Sequence, residues 1–254
     1  MQKKIVLKYS IRNNINYRQD KRIKMTAGKV ISALLCFGLL CINTAQALEA
    51  APAETLVRKE FDTEKYYKKY KHVTKDGVIM QAMEIMNGEN ISRYSYNALL
   101  GSNLTNRPFK IEFKDLSKIN PEYASFDALG WQKPDKLNKS KETLYIYINE
   151  NHRNAPPEAI AALLTHEAVH QDKFPSLNEE TYAWTLEAAA WTKFTEKNPD
   201  AANSPSSLVS RENMLKKLFI KGSYTNKYIK KAVYSNPGYQ KMPVRSPGFE
   251  DENL

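Results

Sequence analysis

Three side chains in the stretch Ala159-Ile160-Ala161-Ala162-Leu163-Leu164-Thr165-His166-Glu167-Ala168-Val169-His170 could do chemistry together. Residues four apart on a helix lie nearly above one another, so His166 and His170 can aim two imidazoles at a single point. Glu167 sits about 100° round the helix from His166, beside that point. Two neutral imidazoles supply half of a tetrahedral zinc site, and a catalytic zinc keeps one position for water. A carboxylate next to that water can take its proton. The chain has only four histidines, and two of them stand at this spacing.

The element that must carry them is a helix. Asn154-Ala155-Pro156-Pro157-Glu158 reads as its entry, with proline suited to the first turn and an early acid favoured by the helix dipole. The alanine- and leucine-rich run that follows is a strong helix former. Lys173-Phe174-Pro175 ends it, because proline disfavours helical conformation in the residue before it. Ser176-Leu177-Asn178-Glu179 then matches a capping box and opens a second helix. On that helix Glu180, Ala183, Trp184, Glu187 and Trp191 share a face that the two tryptophans mark as buried. A carboxylate on such a face needs a partner, and a metal ion would be one.

His-Glu-x-x-His on a helix resembles the signature of the zincin metallopeptidases. With Glu180 on the following helix and the small Ala183 three residues later, the resemblance is to the gluzincins, whose third ligand is such a glutamate. It covers residues 143–194 and implies zinc held by His166, His170 and Glu180, with Glu167 as general base. Glu179 competes for the third position, although the capping box gives it a structural task. Glu187 is placed either to orient a ligand histidine or to pair with a lysine of the carboxy-terminal region. Asp172 caps the first helix or holds an imidazole, and His152 lies in the loop before the motif helix. The gap between His170 and Glu180 is shorter than the well-known gluzincins use, which implies a tight turn over 174–177. The metzincin third histidine is absent. The resemblance also implies a substrate-binding edge strand before the motif helix, Leu144–Ile148 or a neighbour, and an oxyanion-stabilising tyrosine among Tyr182, Tyr224 and Tyr228.

The other elements frame this centre. Phe109–Phe113 and Leu144–Ile148 alternate as half-buried strands do, and residues 120–141 between them read as a long irregular connection. Helices are expected over 78–86, 91–100, 207–221 and 225–234, with an irregular proline-bearing tail from 236. Methionines 83 and 86 read as core filling. The fold class is α+β and zincin-like, with a small sheet beside the motif helix and a mainly helical carboxy-terminal part. Residues 1–47 are a basic leader and signal peptide, 48–142 the first part of the mature domain, 143–235 the metallopeptidase core with its helices, and 236–254 the tail.

The formal charge of +10 over 254 residues invites a polyanion partner until its distribution is read. Residues 1–47 hold nine of the 38 basic side chains and one of the 28 acids, which leaves 29 against 27 in the remainder. Basic residues ahead of the apolar run 30–42, followed by Ala45-Gln46-Ala47, resemble a secretory signal cleaved after Ala47, so a secreted or periplasmic protein is expected. Met25 is an alternative start to Met1. Both cysteines, Cys36 and Cys41, fall in that run, so a metal in the mature chain must use His, Asp or Glu. The Lys65–Lys71 run interleaved with tyrosines reads as a solvated helix with an aromatic face, and no nucleic acid is expected. The expected partner is a peptide or protein substrate. The second reading is an exported zinc-binding or cell-envelope interaction protein without peptidase activity.

Overall fold

A computed structural model of the chain describes residues 62–134 and 142–250. The expected leader and signal sequence over 1–47, residues 48–61, the lysine-rich stretch 135–141 and the last four residues of the expected tail, 251–254, lie outside the described residues. The described elements are α1 (Thr63–Tyr70), α2 (Gly77–Asn87), α3 (Arg93–Leu99), β1 (Lys110–Lys114), β2 (Ala128–Pro134), β3 (Glu142–Asn149), α4 (Pro157–Glu167), α5 (Leu177–Lys197), α6 (Ser207–Lys221) and α7 (Lys227–Tyr234). The architecture is α+β and mainly helical. Among the described residues no helix is long and apolar enough to cross a membrane.

The sheet is mixed, with order β1-β3-β2; β3 pairs parallel with β1 and antiparallel with β2. Period-two alternation decides its faces. Leu144, Ile146 and Ile148 of β3 join Ile111 and Phe113 of β1 and Ala128 of β2 in the main core. Tyr147 turns the other way and packs with Leu116, Tyr123, Phe126 and Leu129 in a smaller cluster. One expectation is narrowed here and one corrected. The stretch 144–148 is the central strand, so among the described residues the sheet edges are its neighbours β1 and β2. The connection expected to be irregular contains β2, where Gly130 stands opposite Ile146 and Trp131 opposite Tyr145. Gly130 and Pro134 hid that strand, since both residue types ordinarily punctuate strands rather than build them.

α4 is buried on every side, with residues Ala159–Glu167 all inside. That burial explains why its sequence carries small and aliphatic residues round the whole helix. α2 packs against α4 through Ile79, Met80, Met83 and Met86, and Asp76 caps it by accepting from the Val78 and Ile79 amides. α5 lies on α4, and α6 and α7 lie on α5. In α1, Tyr70 is buried and Tyr66 packs against the core, while Tyr67 is exposed.

Candidate metal centre

The motif helix ends sooner than its sequence suggests. α4 stops at Glu167, and the next turn tightens, with the Val169 amide donating to the His166 carbonyl and the His170 amide to that of Glu167. Helix ends leave carbonyls without partners. Here Ser95 Oγ donates to the Thr165 carbonyl at 2.7 Å and Gln171 Nε2 to that of Ala168 at 3.1 Å. His170 therefore stands just beyond the regular helix, yet its ring still faces His166: the two Nε2 atoms are 3.1 Å apart.

The start of α5 supplies the carboxylates. Ser176 Oγ accepts from the Glu179 amide at 3.1 Å, and the Leu177 and Asn178 amides donate to the Pro243 and Val244 carbonyls at 2.9 and 3.0 Å. These partners satisfy the first amides of the helix and leave Glu179 and Glu180 in its first turn, where the dipole favours acids. Glu180 points at both histidines, with Oε2 3.9 Å from His166 Nε2 and Oε1 3.7 Å from His170 Nε2.

His166, His170 and Glu180 thus form a buried group able to hold a metal ion, their ligating atoms all within 4.8 Å of one another. Ligands about 2.0–2.1 Å from a tetrahedral zinc stand about 3.3 Å apart, so the observed spacings need little closure. Both Glu180 oxygens are buried without a hydrogen bond of sound geometry, as are both Glu167 oxygens. The surrounding charge also calls for a cation. Asp127, Glu167, Glu179, Glu180, Glu187 and Glu212 are all buried, and they outnumber the buried cations among them, Arg211 and the protonated His170 of the metal-free protein. Buried carboxylates in that excess are costly unless paired or protonated.

The outer ring nitrogens are held as well. His170 Nδ1 lies 2.8 Å from Glu179 Oε1, and His166 Nδ1 lies 3.0 Å from Glu187 Oε2 in a contact bent from a straight hydrogen bond. Carboxylates on Nδ1 favour the tautomer that leaves Nε2 to bind metal. Glu179 therefore stands behind His170, and Glu180 takes the inner position. Glu187 faces His166 and pairs with Arg211 of α6, an arginine where a lysine was expected. Asp172 accepts from the Phe174 amide at 2.7 Å. His152 is buried against Asp127 at 2.7 Å, away from the other two histidines' meeting point.

Burial would depress the His170 imidazole, but the Glu180 and Glu179 carboxylates outweigh it and raise its pKa to about 9 in the metal-free protein. Burial, the largest influence on Glu167, raises its carboxyl above the usual range. Glu187 is lowered because Arg211 and His166 overcome its burial, whereas burial and the Glu187 charge push Glu212 well up.

The tyrosine at the centre comes from a place the sequence did not single out. Tyr239, in the turn Pro237–Tyr239 of the tail, is buried, packs edge-on against Trp184 at 6.2 Å and has its hydroxyl raised by burial and then by Glu180. Tyr224 is exposed, Tyr228 is half-buried, and Tyr182 packs on Phe249. No local spacing marks Tyr239. Arg211 and Glu212 did carry a signal, because they share the apolar face of α6 with Leu208 and Leu215, and charged residues on a buried face need a reason.

The centre is enclosed: His166 and Glu180 are 0% exposed, Glu167 2% and His170 4%. The surface hollow bordered by Val73, Lys110, Ile111, Glu112, Tyr145 and Arg153 does not include any of them. Comparison of the chain with protein-family models, with curated proteins and with solved structures returns no match.

Proposed function

We propose that this chain is an exported zinc metallopeptidase of zincin-like architecture that hydrolyses peptide bonds in a peptide or protein substrate. The observation that carries the reading is Glu180, whose two buried oxygens lack sound hydrogen bonds while facing two imidazole Nε2 atoms 3.1 Å apart. The donor set of two imidazoles and one carboxylate suits zinc and leaves a fourth position for chemistry. Zinc bound there would polarise the scissile carbonyl and acidify the attacking water. Glu167, next to both histidines, takes the proton of that water and delivers it to the leaving amine. A raised carboxyl pKa brings this base closer to its operating pH. Glu179 and Glu187 hold the two rings from behind, and the Tyr239 hydroxyl is the nearest candidate to steady charge on the carbonyl oxygen.

The enclosure of the centre favours one second reading, an exported zinc-binding protein without peptidase activity. Both readings meet the same first experiment, metal content of purified residues 48–254 beside His166→Ala, Glu180→Ala, Glu179→Ala and Glu167→Gln. About one zinc per chain, lost in the His166 and Glu180 variants and retained in the Glu179 variant, supports the three-ligand centre. Peptide hydrolysis by wild type that vanishes in a zinc-replete Glu167→Gln variant identifies the peptidase. Zinc without any hydrolysis by wild type favours the second reading, and a folded wild type that takes no zinc rejects both.

A further inference from the structure

Resting on the metal-centre reading, we propose that Arg211 is a positioning residue of that centre, aiming the Glu187 carboxylate that orients His166. Arg211 is enclosed in the middle of α6 and meets three carboxylates from three parts of the chain. Its Nε lies 3.1 Å from Asp127 Oδ2, just before β2. Nη1 donates to Glu187 Oε2 at 3.2 Å, Nη2 donates to Glu187 Oε1, and Nη2 also donates to Glu212 Oε1 at 3.2 Å. The fork engages both oxygens of Glu187, which fixes the plane of that carboxylate and not merely its distance. The oxygen that Nη1 holds is the one 3.0 Å from His166 Nδ1. Fixing it fixes where the Nδ1 edge of the His166 ring meets Glu187, and so where Nε2 points. Asp127 makes an ion pair with the guanidinium at Nε, without a hydrogen bond of sound geometry, and itself meets His152 at 2.7 Å. The line from His152 through Asp127, Arg211 and Glu187 to His166 crosses from the sheet to α6, then α5, then α4. A buried charge cluster of this kind is a poor way to gain stability, because desolvation offsets most of the attraction and apolar packing of the same volume does as well. Orientation of a metal ligand is what this arrangement supplies and apolar packing cannot.

The test measures zinc affinity by competition with a chromophoric chelator, the visible absorption of the cobalt-substituted protein, and thermal stability. The variants are Arg211→Gln, Arg211→Lys, Asp127→Asn, Glu187→Gln and the double variant Arg211→Gln/Glu187→Gln. The expected result is a 10- to 100-fold loss of zinc affinity in Arg211→Gln, roughly the loss seen when outer partners of metal ligands are removed, with an altered cobalt spectrum. Arg211→Lys recovers part of the loss. Because Arg211 acts through Glu187, the double variant binds zinc about as Glu187→Gln does. A brace without a positioning role would lower thermal stability while folded Arg211→Gln kept wild-type zinc affinity and cobalt spectrum, and that result overturns the proposal. If Arg211→Gln does not fold, Arg211→Lys and Asp127→Asn decide: weakened zinc binding in either supports it, and unchanged binding in both overturns it. Wild type that binds zinc while these variants match it rejects the role of Arg211 alone, whereas wild type without zinc rejects the metal centre.

Discussion

At the scale of single residues, His170 would connect the proposed metal binding to pH. In the metal-free protein its pKa is raised from 6.5 to about 9, so the charged imidazole is better accommodated folded than unfolded. That contribution is fully present below pH 6.5 and is lost as pH rises through 9. A metal requires the neutral ring, so loading expels the proton and reverses the sign. Thermal unfolding of the chelated protein should therefore show stability from this group declining between pH 6.5 and 9, and the zinc-loaded protein should show it rising as pH approaches 6.5 and levelling off above that. Parallel pH profiles with and without zinc would contradict the assignment of His170 as a ligand. Glu179 gives a second test at this scale. As the outer partner of His170, its replacement by Gln should weaken zinc binding by about 10-fold or more without removing it, whereas Glu180→Gln removes a ligand and should cost far more. Equal losses in the two variants, measured by chelator competition, would count against the inner and outer roles given to them.

At the scale of elements, the amino end of α5 matters most, because its first turn holds both Glu179 and Glu180. Ser176 caps that turn and also meets Ser246 at 2.8 Å. Ser176→Ala should lower stability by about 1 kcal/mol in urea denaturation and weaken zinc binding with it. Ser206→Ala is the matched control, since Ser206 precedes α6 without a side-chain capping bond, and it should change stability by less than about 0.5 kcal/mol. A zinc affinity as insensitive to Ser176→Ala as to Ser206→Ala would mean that the cap does not hold the ligand turn in place. Most elements were legible in the sequence for plain reasons. The entry of α4, the cap of α5 and the alternation in β1 and β3 are written in neighbouring residues. β2 was not, because its glycine and proline read as breakers and only pairing with β3 holds it extended. Nor was the early end of α4, where Ser95 reaches the freed Thr165 carbonyl from α3 and Gln171 folds back onto that of Ala168.

At the scale of the whole molecule, the tail closes the centre. Its Pro243 and Val244 carbonyls take the first amides of α5, Ser246 meets Ser176, and Tyr239 fills the space beside Trp184. A chain ending at Gln240 keeps Tyr239 but loses these three bonds, which should cost about 3 kcal/mol at a typical 0.5–1.5 kcal/mol each. Such a chain should also surrender zinc to a chelator faster than the full chain; an unchanged release rate would show that metal enters and leaves by another route. The sequence by itself marked the two histidines and the glutamate between them, the helix that carries His166 and Glu167, and the pair Glu179 and Glu180 as the competing third ligands. Helical periodicity and capping act over a few residues, so their consequences are visible in a few residues. Only the tertiary structure decided that Glu179 backs His170, that Arg211 reaches Glu187 and that Tyr239 returns to the centre. Those contacts join α4, α5, α6 and the tail, and the desolvation that makes buried charges seek partners acts on neighbours in space, whatever their separation along the chain.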